Sequence, residues 1–222
     1  MASPLSPTPE DAARPIDALL AGYVVGALEP HMHALVTAHL MLSEENRGFV
    51  RALEAEAGAA LDRIDAPLPQ RVPRDHVLSA IYAGGYYGAG RPVQHDPELP
   101  SPLYRLVGKP LDQLPWKRKL PGLKEYKVFD KDGVEAVFYH ISAGRRMPRH
   151  THAGSEATLV LRGAFHDERD VYRRGDVSLA DGNVEHRPTT SRDEDCVCFA
   201  VTDAPLKMTG PVWGVLQRLF GK

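Results

Sequence analysis

Gly144-Arg-Arg-Met-Pro-Arg-His150-Thr-His152-Ala-Gly-Ser-Glu156 is the stretch from which the fold of this chain can be read. Side chains alternate along a β-strand, so His150 and His152 face the same way if the segment is extended. Glu156 follows past Gly154 and opens the apolar run Ala157-Thr-Leu-Val-Leu161, which Gly163 closes. Further on, the turn pairs Gly175-Asp176 and Asp181-Gly182 lead to His186, which the spacing places on a later strand. Three imidazoles and a carboxylate converging inside a small β-barrel would make a site for a first-row transition metal. An H-x-H pair alone arises easily by chance. The whole pattern G-x5-H-x-H-x3-E-x6-G, followed by a glycine-led strand ending in His, is far more specific.

The rest of the composition narrows the class. A length of 222 residues is enough for one or two domains with a buried core. The formal net charge of −2 gives no reason to expect direct nucleic-acid binding or attachment to an anionic membrane. The longest apolar run, Ala18 to Leu28, is interrupted by Gly22 and Tyr23 and is too short to cross a bilayer. The first residues, Met1-Ala-Ser-Pro-Leu-Ser-Pro, lack the basic flank and apolar centre of a secretory signal and read as a disordered leader, residues 1–14. Cys196 and Cys198 are the two cysteines, and a C-x-C on one strand cannot readily close on itself, so a reduced, cytoplasmic protein is expected.

Helical periodicity dominates the first part of the chain. Ile16, Leu19, Leu20, Tyr23, Val24 and Ala27 recur at helical spacing, with Asp17 as a candidate N-cap and Pro30 as a stop. A second helix carries Met32, Leu35, Val36 and His39 on one face, a third runs from about Ser43 to Ile64, and a fourth covers Asp75 to Tyr82. Residues 15–83 therefore read as a small helical bundle, and the Gly- and Pro-rich residues 84–102 as a linker. Beyond it come short β-like runs: 125–129, 134–141, 157–161, 177–179 and 197–201. Many short strands without intervening helices imply a sandwich or barrel over residues 103–206. The tail, 207–222, returns to helical spacing. The fold class is α+β: a helical bundle followed by a β-barrel.

With both halves in view, the chain resembles the ChrR family of anti-sigma factors, which join a helical anti-sigma domain to a cupin, a double-stranded β-helix or jelly-roll barrel. The resemblance is carried by Asp17-Ala-Leu-Leu-Ala-Gly-Tyr-Val-Val-Gly-Ala-Leu28, by Leu114-Pro-Trp116-Lys-Arg118, by the run from His150 to Gly163, and by Asp195-Cys-Val-Cys198-Phe-Ala-Val-Thr-Asp-Ala-Pro205. It implies a helical half that binds an extracytoplasmic-function sigma factor in the cytoplasm and a cupin half that senses oxidative signals. It also implies that His150, His152, Glu156 and His186 are the cupin metal ligands.

One departure from the family stands out. The family's helical domain holds a structural zinc through an upstream His and an H-x3-C-x2-C segment. Here His39 keeps the His, Ser43 and Asn46 occupy the cysteine positions, and Arg14 lies near the place of the upstream His. This second site should not bind zinc. A structural zinc contributes on the order of 10 kcal/mol in small metal-dependent domains, so the bundle must be held by packing. Ser43-Glu44-Glu45 reads as the capped start of the third helix, worth about 1 kcal/mol for the cap, and His39 as a packed or surface residue.

One divalent metal per chain is thus expected. Ligand type alone admits zinc, iron, manganese, nickel or copper, and the resemblance favours zinc. Four protein ligands on zinc would make a closed, structural or sensing centre, whereas iron or copper with an open position would allow dioxygen chemistry. Cys196 and Cys198 read either as core fillers or as an oxidation-sensing pair. His166 follows the first motif on a strand and is a candidate pocket group. The leading function is an anti-sigma factor whose helical half masks a sigma factor until its metal-binding cupin half senses an oxidant; the alternatives are a dioxygenase-like cupin enzyme whose helices mediate dimerisation and a sensor that has lost its sigma factor. A sigma-bound heterodimer and a homodimer through either half are both compatible with the sequence.

Overall fold

The computed structural model describes residues 14–65, 73–83, 96–203 and 206–208. Helices α1 (Pro15–Val24), α2 (Pro30–Leu42), α3 (Arg47–Asp62) and α4 (Arg74–Ala83) form the first part. Proline supplies the start of both α1 and α2, because its fixed φ suits the first helical position and its missing N–H is not needed there. Asp17 consequently falls three residues into α1 and not at its cap: its carboxylate accepts the Arg14 backbone N–H at 2.8 Å. Arg14, assigned above to the leader, is part of the folded structure. Residues 1–13 lie outside the described residues.

Ser43 does not start the third helix. Its backbone N–H donates to the His39 carbonyl at 2.8 Å and closes α2, while Asn46 precedes α3 without capping it through its side chain. That amide is engaged elsewhere, as described below.

Residues 84–95 of the expected linker lie outside the described residues, but its remainder is packed. Asp96 accepts the backbone N–H groups of Glu98 at 2.8 Å, Leu99 at 3.2 Å and Leu111 at 2.6 Å, and Leu99 is buried. The short helix α5 (Ser101–Val107) follows and buries Leu103. A carboxylate that satisfies three orphan amides folds a Pro-rich segment locally, which composition alone cannot reveal.

Strands β1 (Lys117–Leu120), β2 (Leu123–Lys131), β3 (Val134–Ile141), β4 (His150–His152), β5 (Glu156–Arg162), β6 (Ala164–His166), β7 (Val171–Arg173), β8 (Val177–Ala180), β9 (Thr189–Thr190), β10 (Cys196–Thr202) and β11 (Leu206–Met208) make the second part. The main sheet is ordered β1-β2-β3-β10-β5-β8 and is antiparallel throughout; β7-β6-β9 and β11-β4 complete the barrel. The insertion of β10 between β3 and β5 is the non-local crossover of a jelly roll. The tail thus begins as a strand over 206–208; the helix expected further on lies outside the described residues.

One hydrophobic core joins both parts. Leu20, Leu35, Val36 and Leu103 from the helices pack with Phe138, Leu159, Leu161, Val197, Phe199 and Val201 from one face of the main sheet. The opposite face of the same strands looks into the barrel and carries Tyr139, Ile141, Glu156, Thr158, Val160, Cys196 and Cys198 by strand parity. Both faces of β10 are therefore covered, and all seven of its residues are buried. Gly163 ends β5 with φ 69°, and a Cβ there would stand 2.5 Å from the Asp195 carbonyl oxygen, so only glycine lets the two segments cross.

Candidate metal centre

His150 and His186 meet through the backbone before they meet through their rings. An isolated antiparallel bridge joins them, with His150 N–H donating to the His186 carbonyl at 3.2 Å and His186 N–H to the His150 carbonyl at 3.1 Å. His186 sits on this bridge and not on a longer strand, because the Asp181–Asn183 turn and Pro188 bound it closely. The two side chains are 8% and 3% exposed, and their Nε2 atoms lie 3.0 Å apart.

The other ring nitrogens settle what the facing atoms are. His150 Nδ1 lies 2.8 Å from the Pro148 carbonyl oxygen, which can only accept, so Nδ1 carries the hydrogen. His186 Nδ1 lies 3.2 Å from Asp167 Oδ2. Burial works against ionisation of Asp167, but hydrogen bonds from the Arg169 backbone and guanidinium, the Asp170 amide and His186 outweigh it and hold the carboxyl below its usual range. That carboxylate too can only accept. Both Nε2 atoms therefore present lone pairs to each other, a repulsive arrangement that a bound cation relieves. Burial pushes the pKa of both imidazoles down, keeping them in the neutral form that ligates metals.

Glu156, at the start of β5, is on the barrel-facing side. Burial raises its carboxyl to about 7, against the opposing effect of the Thr158 hydroxyl, which donates to Oε1 at 3.0 Å. Tyr139 on β3 also faces inward, and burial, with Glu156 and Glu125 nearby, drives its phenol well above the ordinary value, so it stays a hydrogen-bonding neutral group. The side chain of His152 lies outside the described residues; its backbone pairs with Leu206. The structure thus brings together two of the four expected ligands, His150 and His186. Among the described residues no group of three or more His, Cys, Asp or Glu side chains stands at metal-holding distances.

Asp167 and Tyr139 went unnoticed in the sequence. Asp167 has its signal in the Asp167-Glu-Arg-Asp170 turn, and Tyr139 in its parity with Val137 and Ile141 on β3. His166 is exposed at the end of β6 and borders an open cleft with Phe165 and Arg173, away from His150 and His186. Cys196 and Cys198 are buried, and a contact with Cys196 together with burial pushes the Cys198 thiol up. These are conditions of low thiol reactivity, and they favour the core-filler reading.

In the helical part, three of the residues that the resemblance places at or near zinc-ligand positions form a hydrogen-bonded chain. Arg14 Nη2 donates to Asn46 Oδ1 at 2.8 Å, Asn46 Nδ2 donates to His39 Nε2 at 2.9 Å, and His39 Nδ1 donates to the Gly175 carbonyl at 2.6 Å. Both His39 ring nitrogens are used, and the chain ends at a guanidinium, whose positive charge opposes a dication nearby. Ser43 takes no part in the chain. These residues do not fit a zinc ion.

A helical bundle laid on the outer sheet of an antiparallel cupin barrel defines a two-part helical–cupin protein. Residues 107–205 match the model of the ChrR cupin-like domain. Over 207 residues the chain is 34% identical to the anti-sigma-E factor ChrR of Cereibacter sphaeroides, covering 92% of this chain and 95% of that protein. It also superposes, with a TM-score of 0.69 and 34% identity, on a chain from the crystal structure of Rhodobacter sphaeroides SigE in complex with the anti-sigma ChrR, covering 84% of this chain and 96% of that one. The chain belongs to the ChrR family.

Proposed function

We propose that this protein is an anti-sigma factor of the cytoplasm, whose helical half binds an extracytoplasmic-function sigma factor and whose cupin half carries a sensing metal. One observation carries the first statement: the likeness to ChrR runs through both halves, covering 92% of the chain in sequence. The helical half also offers apolar surface to a partner, with Phe49 and Leu61 of α3, Ile64 just beyond it and Val77 of α4 exposed. No helix among the described residues is long and apolar enough to cross a membrane.

The metal reading rests on the donor set. His150 and His186 present facing Nε2 lone pairs held by Pro148 and Asp167, and Glu156, half-buried at the start of the next strand, has a carboxyl whose desolvation raises its pKa to about 7. His150, His152, Glu156 and His186 would hold the ion, and zinc suits three imidazoles with one carboxylate. Bound zinc would supply a closed, redox-silent centre that ties β4, β5 and the His186 bridge together. Asp167 would fix the His186 tautomer, and Thr158 would orient the Glu156 carboxylate.

Co-purification of the tagged full chain with an extracytoplasmic-function sigma factor of its own organism tests the first statement, a stoichiometric complex being expected and the absence of any such complex refuting it. Metal analysis of the isolated protein tests the second: one equivalent per chain is expected, and none or two would overturn it.

A further inference from the structure

The hydrogen-bonded chain in the helical part joins the two halves of the molecule. His39 and Asn46 are each 3% exposed, and the acceptor at the end of the chain, the Gly175 carbonyl, belongs to the turn between β7 and β8. Every link has a fixed direction, since a guanidinium only donates and a carbonyl only accepts. Arg14 is itself held by Asp17 at 3.1 Å and Glu45 at 3.0 Å. The junction between α2 and α3 is thereby committed to one acceptor on the barrel.

A second observation stands apart from those bonds. Gly175 adopts φ 95°, and a Cβ there would lie 3.2 Å from the Leu42 Cβ and 3.4 Å from the Leu42 carbonyl carbon. The turn approaches the last residue of α2 so closely that only glycine fits without a shift. On its other side the turn is bonded to β5: Gly175 N–H donates to the Val160 carbonyl at 2.9 Å, and Val160 N–H to the Asp176 carbonyl at 3.1 Å. Val160 is four residues along the same strand from Glu156.

We propose that the α2–α3 junction is a metal-free latch between the halves: His39, oriented by Asn46 and Arg14, grips the Gly175 turn and couples the helical bundle to the strand that carries Glu156. Arg14, His39 and Asn46 are positioning residues that act through Gly175. A displacement of β5 is passed to the end of α2 through two backbone hydrogen bonds and one imidazole. Buried networks of this kind respond as units, so loss of one member should loosen both ends.

Hydrogen exchange read by mass spectrometry on the full chain tests the latch. In Asn46→Ala, exchange should speed up tenfold or more in residues 39–50 and also in residues 171–178, with β2 and β3 unchanged. Ser43→Ala, at the same junction but outside the chain of bonds, should leave residues 171–178 at the wild-type rate. Gly175→Ala attacks from the barrel side and should accelerate exchange in residues 39–42, which keeps the test sharp if Asn46→Ala does not fold. Faster exchange confined to the mutated half in both variants, or an equal response in Ser43→Ala, would overturn the proposal. The measurement needs no partner and no added metal, so its failure is separate from failure of the sigma-factor or metal readings.

Discussion

Replacing Asp167 by Asn should weaken metal binding at the cupin site by ten- to a hundredfold while leaving the fold intact. Asp167 Oδ2 receives the His186 Nδ1 hydrogen at 3.2 Å and shares that oxygen with the Arg169 guanidinium at 3.0 Å. Oδ1 accepts the backbone N–H groups of Arg169 at 2.9 Å and Asp170 at 3.1 Å. An Asn can keep its oxygen on those two amides only by turning its NH2 toward His186 and Arg169. Two donors then face His186 Nδ1–H. The ring escapes by moving its hydrogen to Nε2, the atom 3.0 Å from His150 Nε2, and so loses the lone pair that a metal needs. Groups that orient a metal-bound His typically contribute 10- to 100-fold in affinity, or about 1.4–2.7 kcal/mol. A competition titration of zinc against a chromophoric chelator at neutral pH reads the change directly, with circular dichroism as the check on folding. An unchanged dissociation constant in a folded Asp167→Asn protein would refute the tautomer argument.

Leu35→Ala removes a fully buried side chain where α2 meets the sheet and should cost about 2–5 kcal/mol in urea unfolding. Gly163→Ala combines a residue at φ 69° with a Cβ 2.5 Å from the Asp195 carbonyl oxygen and should cost about 2–4 kcal/mol, read as a fall in melting temperature. Asp195 accepts the Ala143 N–H at 2.9 Å and pairs with His140 at 2.8 Å, and these contacts hold its carboxyl below the ordinary value. A depressed folded-state pKa stabilises above the unfolded value, 3.8, and that contribution is lost as pH falls through the folded one. Asp195→Asn should therefore lower the melting temperature at pH 6 and flatten its decline below about pH 4; equal slopes in the two proteins would contradict this.

The strands were legible because alternation and turn residues are local. The run 134–141 coincides with β3, and the runs 125–129, 157–161, 177–179 and 197–201 lie inside β2, β5, β8 and β10. The places of His150 and Glu156 on strands were legible for the same reason. What the sequence concealed depends on partners far along the chain. Asp167 acquires its role from His186, nineteen positions away. Ser43 looked like a cap because Ser-Glu-Glu favours a helix start, yet Asn46 is drawn away from capping by Arg14 and His39. His39 showed only a missing set of neighbours, and its actual acceptor, Gly175, lies 136 residues downstream. A statement about absent ligands could not foresee the contact that took their place.

β10 faces the helices with Val197, Phe199 and Val201 and the barrel with Cys196 and Cys198. A boundary drawn through the linker divides the chain in sequence but not in packing. The two halves are consequently poor modules for recombination. A chimera that joins the helical half of one relative to the cupin of another puts a central strand, whose outer residues pack on the helices here, against a different set of helices. Repairing such a hybrid would require exchanging Val197, Phe199 and Val201 together with α2 while keeping the inward residues of β10, so that the unit of inheritance alternates residue by residue along a single strand.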